Sequence, residues 1–372
     1  MRILALEPYY GGSHKAFLDG WSQASSHEWT ILSLPAYKWK WRMRHAAVTF
    51  AGEVRQRLAQ ELRWDLVFCS DMLNLAEFIG LASTEVRDLP SVLYFHENQL
   101  TYPMRVENER DYQFGLTNMT SALAAGAVWF NSGFHRDSFL HALGVFLNRM
   151  PDYQPFDAVG QIRAKSEVFP PGVNRFAARG PREPGPLRIL WAARWEHDKN
   201  PEEFFEAMRC LEDRQIPFRI SVIGAQFREV PEVFARARGQ FAGHIDRWGY
   251  QQSRADYEAA LLAADVFIST AAHEFFGLSA VEATLAGAYP LVPNRLAYPE
   301  VFDLHCDAAT REFFYDGGAT GLADRLVELA NRLESDGSLV PAAAPIRNRL
   351  RRFEWPNLAP ILDEAAERTR LY

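Results

Sequence analysis

The amino-acid sequence predicts an α/β protein with two doubly wound domains, each built on a parallel β-sheet. Short apolar segments of strand-forming residues alternate with helical patterns along the chain, which is typical of βαβ units. A segment rich in Gly, Pro and Arg, at 172–186, interrupts this alternation near the middle and indicates a linker. The 372 residues, 48% of them hydrophobic, are enough to form two hydrophobic cores.

The elements of the first half follow in order from this pattern. Strands are predicted at 2–6, 29–33, 66–69, 91–95, 127–130 and 167–169. Helices are predicted between them, at 14–25, 47–62, 74–83, 112–125 and 133–147. Ser13 and Ser132 are candidate N-caps for the first and last of these helices.

The second half repeats the alternation. Strands are predicted near 187–192, 218–223, 245–248, 265–269 and 289–292, and helices near 201–213, 231–238, 253–263, 279–286 and 320–334. Asn200 and Pro201 are typical of an N-cap and a first helical residue. A last helix follows Phe353-Glu-Trp-Pro356. We therefore expect domains over 1–172 and 173–352, and a C-terminal helical segment over 353–372.

The most informative segment is His273-Glu-Phe-Phe-Gly-Leu-Ser-Ala-Val-Glu282, which places two glutamates eight positions apart. An apolar strand pattern precedes it, and a helical pattern that ends at Gly287 follows it. The first amides of a helix and the positive end of its dipole bind phosphate oxygens well, whereas carboxylates suit hydroxyl groups. The segment therefore predicts a site for a phosphorylated, hydroxyl-rich ligand such as a nucleotide sugar.

A second segment, Pro186-Leu-Arg-Ile-Leu-Trp-Ala-Ala193 followed by Arg194-Trp-Glu-His-Asp-Lys199, predicts a buried strand and a loop with two cations. The carboxyl ends of strands are where open α/β sheets bind ligands. Arg194 and Lys199 are therefore candidates to neutralise a diphosphate leaving group. The alternative is that they are ordinary surface charges.

Taken together, these motifs resemble those of the retaining, metal-independent glycosyltransferases of the GT-B class, with Pro170-Pro-Gly-Val173 as the turn between the domains. Longer blocks resemble the tRNA-queuosine α-mannosyltransferase family. They are Glu7-Pro-Tyr-Tyr-Gly-Gly-Ser-His14, Leu34-Pro-Ala-Tyr-Lys-Trp-Lys-Trp-Arg-Met-Arg44, Phe95-His-Glu-Asn-Gln-Leu-Thr-Tyr-Pro103, Ala193-Arg-Trp-Glu-His-Asp-Lys-Asn-Pro201 and Ala272-His-Glu-Phe-Phe-Gly-Leu278.

This resemblance implies the transfer of mannose from GDP-mannose to the cyclopentenediol of queuosine in a tRNA anticodon. It also implies two Rossmann-like domains that face an interdomain cleft, with the acceptor on the first domain, the sugar nucleotide on the second, and the last helix packed back on the first. The implied catalytic residues are Arg194, Lys199, Glu274 and His96. No cofactor and no metal are expected, and the chain contains no Asp-x-Asp triplet.

The donor-binding residues are expected mainly in the second domain, where backbone groups meet the base and phosphates and where Glu282 binds the ribose. The alternative for Glu282 is a buried carboxylate that caps a neighbouring helix. The Gly11-Gly12 turn after the first strand is a candidate for close approach to the ligand, or simply a turn. The donor candidates are Gly12, Gly224, Gly249, Tyr250, Phe275, Phe276, Gly277, Leu278, Ser279 and Glu282.

The acceptor-binding residues are expected in the first domain. The segment 38–45 alternates cations with aromatic or apolar residues, as expected for phosphate contacts beside stacking platforms, or for a helix with inward tryptophans and a solvated basic face. The loops after the fourth and fifth strands supply polar candidates. The acceptor candidates are Ser13, His14, Lys38, Trp39, Lys40, Trp41, Arg42, Arg44, Glu97, Asn98, Gln99, Arg105, His135 and Arg136.

The composition limits the expected partners and the expected cellular compartment. The net charge of −7 argues against a general nucleic-acid binder. The three cysteines, Cys69, Cys210 and Cys306, show no metal-ligand spacing and indicate a reducing cytoplasm. Neither a signal peptide nor a membrane-spanning segment is predicted, so no membrane partner is expected. The oligomeric state stays open.

Two other function classes remain alongside the tRNA mannosyltransferase. One is a GT-B enzyme with another nucleotide-sugar donor and a small-molecule or lipid acceptor, or an epimerase of similar architecture. The other is a non-catalytic module that binds a sugar nucleotide or RNA. The presence of Arg194, Lys199 and both glutamates favours an enzyme.

Overall fold

The computed structural model describes residues 1–103, 111–227, 229–304 and 306–370, and the chain divides into two compact units. Unit 1 comprises Met1–Asn174 and Phe353–Tyr372, and unit 2 comprises Arg175–Arg352. The chain thus leaves unit 1 once and returns to it at the C-terminus. Among the described helices, none has the length and apolar character needed to cross a bilayer.

Unit 1 contains a six-stranded parallel sheet in the order β2-β1-β3-β4-β5-β6. Its strands are β1 (Arg2–Tyr10), β2 (Glu28–Pro35), β3 (Leu66–Ser70), β4 (Ser91–Phe95), β5 (Ala127–Phe130) and β6 (Ser166–Val168). Its helices are α1 (Gly12–Ala24), α2 (Trp39–Leu58), α3 (Leu75–Leu81), α4 (Thr84–Arg87), α5 (Tyr112–Ala124), α6 (Gly133–Leu147), α7 (Asp157–Ala164) and α15 (Trp355–Thr369).

Helices cover both faces of this sheet because successive strand residues point to opposite sides. Leu4 and Leu6 of β1 pack into the core under α2, α3, α5, α6 and α7, whereas Ile3 and Ala5 pack into the core under α1 and α15. The connection after β1 leads to β2 at one edge of the sheet, whereas the connection after β3 leads to β4, toward the other edge. The carboxyl ends of β1 and β3 therefore form a topological switch point, the usual ligand position in such sheets.

Unit 2 contains a second six-stranded parallel sheet, in the order β12-β11-β10-β7-β8-β9. Its switch point lies between β7 and β10. The strands are β7 (Leu187–Ala192), β8 (Phe218–Ile223), β9 (Ile245–Gly249), β10 (Val266–Ile268), β11 (Tyr289–Pro293) and β12 (Phe314–Tyr315). The helices are α8 (Pro201–Asp213), α9 (Glu232–Gln240), α10 (Arg254–Ala263), α11 (Leu278–Leu285), α12 (Tyr298–Val301), α13 (Gly318–Asp336) and α14 (Val340–Leu350). Short 3-10 helices cover His197–Lys199, Ala242–His244, Ala308–Phe313 and Arg351–Phe353.

The predicted α/β class with two doubly wound parallel sheets is confirmed, but some elements differ from the prediction. Helix α2 begins at Trp39 rather than near residue 47, because the basic residues of its first turns hide the apolar period. Helix α14 was not predicted, since it carries Pro341 in its first turn and Pro345 in its interior. The proposed linker at 172–186 is also not free, because Arg179 and Arg182 form ion pairs of 3.0 and 2.9 Å with buried Asp265 of unit 2.

Candidate active site

The switch point of unit 2 brings together the two loops that carry the predicted catalytic residues. The loop after β7 contains Arg194 and Lys199, and the loop after β10 contains Glu274. The two loops are bonded to each other, since the amide of Ala272 donates to the Asp198 carbonyl at 2.8 Å. Thr270 also donates from Oγ1 to the Lys199 carbonyl at 2.8 Å. These bonds fix the two loops at the same edge of the sheet.

Lys199 lies at the centre of this arrangement. Its ammonium donates to the His273 carbonyl at 2.7 Å and lies 2.9 Å from Asp198 Oδ2 and 3.4 Å from Glu274 Oε2. Its side chain is only 8% exposed. The alternative that Lys199 is an ordinary surface charge is therefore wrong. A buried ammonium needs such partners, because burial without them strongly disfavours charge.

Arg194 and Lys199 both act on the charge of Glu274. Burial alone would raise the pKa of Glu274, but Lys199, and then Arg194, hold it below its ordinary value. Arg194 is more exposed and lies 3.2 Å from Glu196 through its Nε atom. Burial and the charge of Lys199 lower the pKa of His273 to about 4. At neutral pH the site therefore holds an ionised Glu274 beside two cations and a neutral histidine.

Gly277 begins helix α11 in a left-handed conformation with φ of 92°. A Cβ atom at this position would lie 2.6 Å from Cε1 of Tyr298, so only glycine fits. Tyr298 is fixed in turn by its hydroxyl, which donates to Ser269 Oγ at 2.6 Å. The Gly277 carbonyl accepts from the amides of Ala280 and Val281. The amides of Leu278 and Ser279 come before the first hydrogen bonds of the helix, and their role as a phosphate site stays a prediction.

The remaining donor candidates fall into two groups. The side chains of Phe275 and Phe276 are buried, so these residues can offer a ligand only their backbone. Glu282 is tied to the neighbouring helix α10, because it accepts from the Tyr257 hydroxyl at 2.7 Å and pairs with Arg254 Nη1 at 2.9 Å. This agrees with a buried role against α10, although Ser253 rather than Glu282 caps that helix. The ribose role of Glu282 stays a prediction.

Two glycines shape the edge of the sheet after β8 and β9. A Cβ atom on Gly224 would overlap the Ala193 carbonyl, and the Gly224 amide donates to the Gly249 carbonyl at 3.3 Å. Both glycines thus allow close approach of three strand-end loops. Tyr250, directly after β9, is exposed. These loops follow neighbouring strands, β7, β8 and β9, so Tyr250 lies at the same edge of the sheet as Arg194.

The switch point of unit 1 carries a second cluster, formed by Glu7, His14, Asp71 and His96. Glu7 Oε2 lies 3.2 Å from His14 Nδ1. The His14 and His96 rings lie side by side, with centroids 4.0 Å apart. Asp71 accepts from the His96 amide at 2.8 Å. All four side chains are buried at the carboxyl ends of β1, β3 and β4 or at the start of α1.

The surroundings of this cluster shift the pKa values of three of its residues, His14, Asp71 and His96. Burial opposes the charge on His14, but Glu7 and more distant acids raise its pKa to about 9. Burial raises the pKa of Asp71 to about 8, against the opposing charge of His14. Burial and the nearby histidines lower the pKa of His96 well below its ordinary value. Strongly shifted pKa values among neighbouring buried groups are typical of a functional site.

Glu7, His14 and His96 also offer possible metal-ligand atoms within 4.8 Å of one another. Glu7 is already held by protein donors, since Oε1 accepts from the Tyr9 amide at 2.8 Å and from Ser70 Oγ at 3.0 Å. A metal would replace the existing bond between Glu7 and His14. Protein groups therefore account for the geometry of this carboxylate.

The other acceptor candidates differ in what they present. The donor candidate Gly12 and the acceptor candidate Ser13 are exposed, and Ser13 is not an N-cap, because α1 begins at Gly12 with Gly11 as its cap. Glu97 is partly buried beside Asp71. Arg136 pairs with Asp137 at 3.0 Å, on the exposed face of α6. Arg105 lies outside the described residues.

Three polar candidates are buried and bonded within unit 1, and their contact with the acceptor stays a prediction. Asn98 accepts from the amides of Leu100 and Thr101 through Oδ1, and the Gln99 amide donates to Asn118. His135 is fully buried, with Nδ1 2.9 Å from Asn131 Oδ1. A position at the end of a strand predicts the right edge of the sheet, but not the direction of the side chain. Ser132 caps α6 by accepting from the His135 amide, as the alternative for this loop predicted.

The basic segment at the start of α2 combines both predicted arrangements. Trp39 packs on Phe114, with ring centroids 5.0 Å apart, and the Arg44 guanidinium lies 4.8 Å from the same ring. Trp41 instead is 61% exposed and lies beside His45. Lys38, Lys40 and Arg44 are exposed and Arg42 is half-buried. The segment therefore presents one open aromatic surface within a group of cations.

Sequence reasoning missed the roles of Glu7, Asp71, Asp198 and Tyr298. Glu7 comes directly after the predicted strand 2–6, and Asp71 comes directly after β3. Positions at the carboxyl ends of strands are where open α/β sheets bind ligands, so the sequence did contain a signal for these two residues. Their partners, however, come from other strands, so the cluster itself is not visible along the chain. Tyr298 lies twenty-one positions after Gly277, and no local pattern connects the two.

Both units are similar in sequence to known protein families. Models described as tRNA-queuosine alpha-mannosyltransferase N-terminal and as family 4 glycosyltransferase in conflict systems match residues 2–173 and 155–356. The chain is 28% identical over 124 residues, 33% of this chain and 32% of the relative, to GDP-mannose:cellobiosyl-diphosphopolyprenol alpha-mannosyltransferase of Xanthomonas campestris. Its fold is similar to that of Anabaena HepE in complex with UDP, with a TM-score of 0.67 at 13% identity over 99% of this chain and 100% of that chain.

The most extensive of these sequence similarities is to tRNA-queuosine alpha-mannosyltransferase of Drosophila melanogaster, at 38% identity over 312 residues. The match covers 81% of this chain and 81% of the relative, and so includes most of both units. The predicted GT-B class agrees with the two parallel sheets and with the structural similarity. The extent of the match shows that the chain belongs to the tRNA-queuosine alpha-mannosyltransferase family of glycosyltransferases.

Proposed function

We propose that this protein transfers mannose from GDP-mannose to the cyclopentenediol of queuosine in a tRNA anticodon, with retention of the anomeric configuration. The observation that carries the proposal is the meeting of Lys199, Glu274 and the start of α11 at the switch point of unit 2. A buried cation, an ionised carboxylate and helix amides are suited to a diphosphate joined to a sugar. Membership of the family supports the acceptor.

The proposed reaction breaks the bond between the anomeric carbon and the diphosphate, and forms a bond from the same face to the acceptor oxygen. Negative charge then develops on the diphosphate, where Arg194, Lys199 and the amides of Leu278 and Ser279 stabilise it. One well-placed donor of this kind lowers a barrier by roughly 3–4 kcal/mol. The leaving phosphate takes the acceptor proton, so atoms and charge balance without another base.

Glu274 is better suited to hold sugar hydroxyls than to act as a nucleophile. Its carboxylate is engaged by Lys199 at 3.4 Å, and the two nearby cations lower its pKa and so its basicity. A front-face reaction is therefore favoured over a double displacement through Glu274. We propose that His96, at the end of β4, contacts the transferred mannose.

We propose that unit 2 binds the donor and unit 1 the acceptor. Gly224, Gly249, Tyr250 and Glu282 would meet the nucleoside of GDP-mannose, and the mannosyltransferase of Xanthomonas campestris, whose name contains GDP-mannose, supports this donor. In unit 1, exposed Trp41 and its neighbouring cations suit nucleobase stacking and tRNA phosphates. Because tRNA is the acceptor, we place the reaction in the cytoplasm. No metal is assigned to the reaction, since the cations and amides already face the diphosphate.

The direct test incubates the protein with GDP-mannose and tRNA from cells with and without queuosine, and analyses the nucleosides by mass. We expect one hexose on queuosine and none on tRNA that lacks it. Parallel reactions with UDP-glucose and with polyprenyl phosphate in liposomes examine the other donors and acceptors. Transfer to the lipid alone would contradict the proposal, as would binding of GDP-mannose and tRNA without turnover.

A further inference from the structure

The buried cluster of unit 1 contains a carboxylate that the proposed reaction does not use. Glu7 lies near the end of β1, only 1% exposed. One carboxylate oxygen accepts from the Tyr9 amide and from Ser70 Oγ, and the other faces His14 Nδ1 at 3.2 Å. Two strands and the start of α1 therefore hold this carboxylate in one orientation. A side chain fixed in this way can fix its own partner.

That partner, His14, lies beside a second histidine that cannot carry the same charge. The His14 and His96 ring centroids are 4.0 Å apart, and Tyr94 and Phe17 pack against His96 from other sides. Nε2 of His96 is buried and has no hydrogen-bond partner among the described residues. A protonated nitrogen in that position would be a buried, unpaired charge, which is very costly. The geometry thus favours a charged His14 and a neutral His96.

The other titratable groups around the pair act in the same sense. The carboxyl groups of Asp71 and Glu97, after β3 and β4, favour charge on His14 when they are ionised. His14 itself, and His135 of α6, disfavour charge on His96. Glu7 is the acid that touches His14, whereas Asp71 makes its hydrogen bonds to the amides of His96 and Glu97. Removing the charge of Glu7 should therefore alter both histidines.

We infer that Glu7 is a positioning residue for the mannosyl transfer proposed above: its carboxylate fixes His14 as a charged hydrogen-bond donor, and that charge keeps the adjacent His96 neutral for contact with substrate hydroxyls. This inference rests on the proposed function for its role in the reaction, but the protonation it requires belongs to the free protein. The charged and the neutral ring then present different groups to two oxygen atoms of a substrate.

The test compares the wild-type protein with Glu7→Gln, which keeps an oxygen for Tyr9 and Ser70 but removes the charge. Histidine ring signals are followed by NMR against pH, in EDTA and without substrates. We expect the pKa of His14 to fall from about 9 toward its ordinary 6.5 in Glu7→Gln, and the alkaline limb of the kcat/KM profile to move by a similar amount. Ser70→Ala removes one bond to Glu7 but no charge, so its His14 titration should stay near that of wild type.

Three results would overturn the inference. One is an unchanged titration of His14 in Glu7→Gln, and another is a loss of activity in that variant without any shift in the pH profile, which would indicate a merely structural role. The third is loss of the His14 titration when Zn²⁺ replaces EDTA, which would assign the cluster to a metal. Because the titration uses no substrate, it does not depend on the identity of donor or acceptor. Failure of mannosyl transfer with a normal titration would contradict only the proposed function.

Discussion

Lys199 connects two loops of unit 2 and also pairs with the carboxylates that they carry. Its ammonium contacts a carbonyl and two carboxylates, all of which come from the loops after β7 and β10. Arg194 is more exposed, with 38% of its side chain accessible, and pairs with Glu196 at 3.2 Å. The two proposed catalytic cations therefore differ in burial: Lys199 is held by protein groups inside the site, whereas Arg194 lies closer to solvent.

Replacing Lys199 by Met should reduce kcat strongly while the protein stays folded. The variant keeps the length and apolar stem of the side chain, but it removes the cation that faces the leaving diphosphate. Loss of one such group costs roughly 10² to 10³ in kcat. The measurement is the single-turnover rate of hexose transfer to queuosine tRNA at saturating donor, together with thermal unfolding.

Lys165→Met is the matched control, because Lys165 also donates to backbone carbonyls, those of Leu123 and Ala125, at 2.7 and 2.6 Å. It lies in unit 1, remote in sequence from the donor loops, so it should lower the melting temperature without a comparable loss of kcat. Equal losses of kcat in both variants would show that Lys199 acts through stability alone.

The sequence predicts single residues well when their role depends on neighbours in the chain. Gly277, Glu274 and Lys199 belong to local strand-loop-helix patterns, and the structure joins the two loops. Asn98 and His135 were expected to face a ligand but are buried, because a pattern along a strand does not give the direction of the next side chain. Glu7 and Asp71 form their cluster only through strand pairing, which the sequence does not specify residue by residue.

At the level of the element, helix α15 is tied to the start of unit 1 by one carboxylate. Asp363 accepts from Trp21 Nε1, Ser25 Oγ, and both the amide and the hydroxyl of Ser26, at 2.7–2.8 Å. Burial opposes ionisation of Asp363, but these donors together hold its pKa below the ordinary value of 3.8. Its stabilising effect is therefore present above pH 3.8 and is lost as the pH falls through the lower, folded value.

Asp363→Ala should destabilise unit 1 by about 3 kcal/mol at pH 7, because it leaves the buried Trp21 N–H and the Ser26 amide without their charged acceptor. Glu364→Ala, one position further on the same helix, is the control. Glu364 is exposed and pairs with Arg368 at 3.5 Å on the surface, so its loss should cost less than about 1 kcal/mol. Denaturant unfolding at pH 7 measures both. Equal effects would contradict a specific role for Asp363.

The helical period predicts most elements, but it fails where charge or proline replaces the apolar signal. Helix α15 itself follows a clear pattern after Pro356, and its return to the first unit was expected only from the family resemblance. The first turns of α2 lack a clear apolar period, because they contain Lys40, Arg42 and Arg44, which are not part of the core. Packing against a sheet supports such segments where intrinsic propensity does not.

At the level of the whole molecule, unit 1 is discontinuous in sequence. Val173 and Phe353 are neighbours, since the Val173 amide donates to the Phe353 carbonyl at 2.8 Å, and the Trp355 amide returns a bond to the Val173 carbonyl at 3.0 Å. Trp355 also covers Gly20 and Gly172, where an added Cβ would overlap its ring. The hydrophobic core under α1 therefore includes residues of α15, which follow unit 2 in the sequence.

Residues 1–174 alone should consequently fail to fold, whereas the same segment joined to 353–372 by a short Gly-Ser linker should fold cooperatively. Burial of a large apolar side chain contributes roughly 2 kcal/mol. Loss of Trp355, Leu358 and Leu362 would thus remove roughly 6 kcal/mol, a large part of the roughly 5–15 kcal/mol that stabilises an ordinary domain. Circular dichroism and the cooperativity of urea unfolding compare the two chains, with 175–352 as a third chain that should fold by itself. A cooperative transition for 1–174 without the C-terminal segment would show that α15 is not required for the core of unit 1.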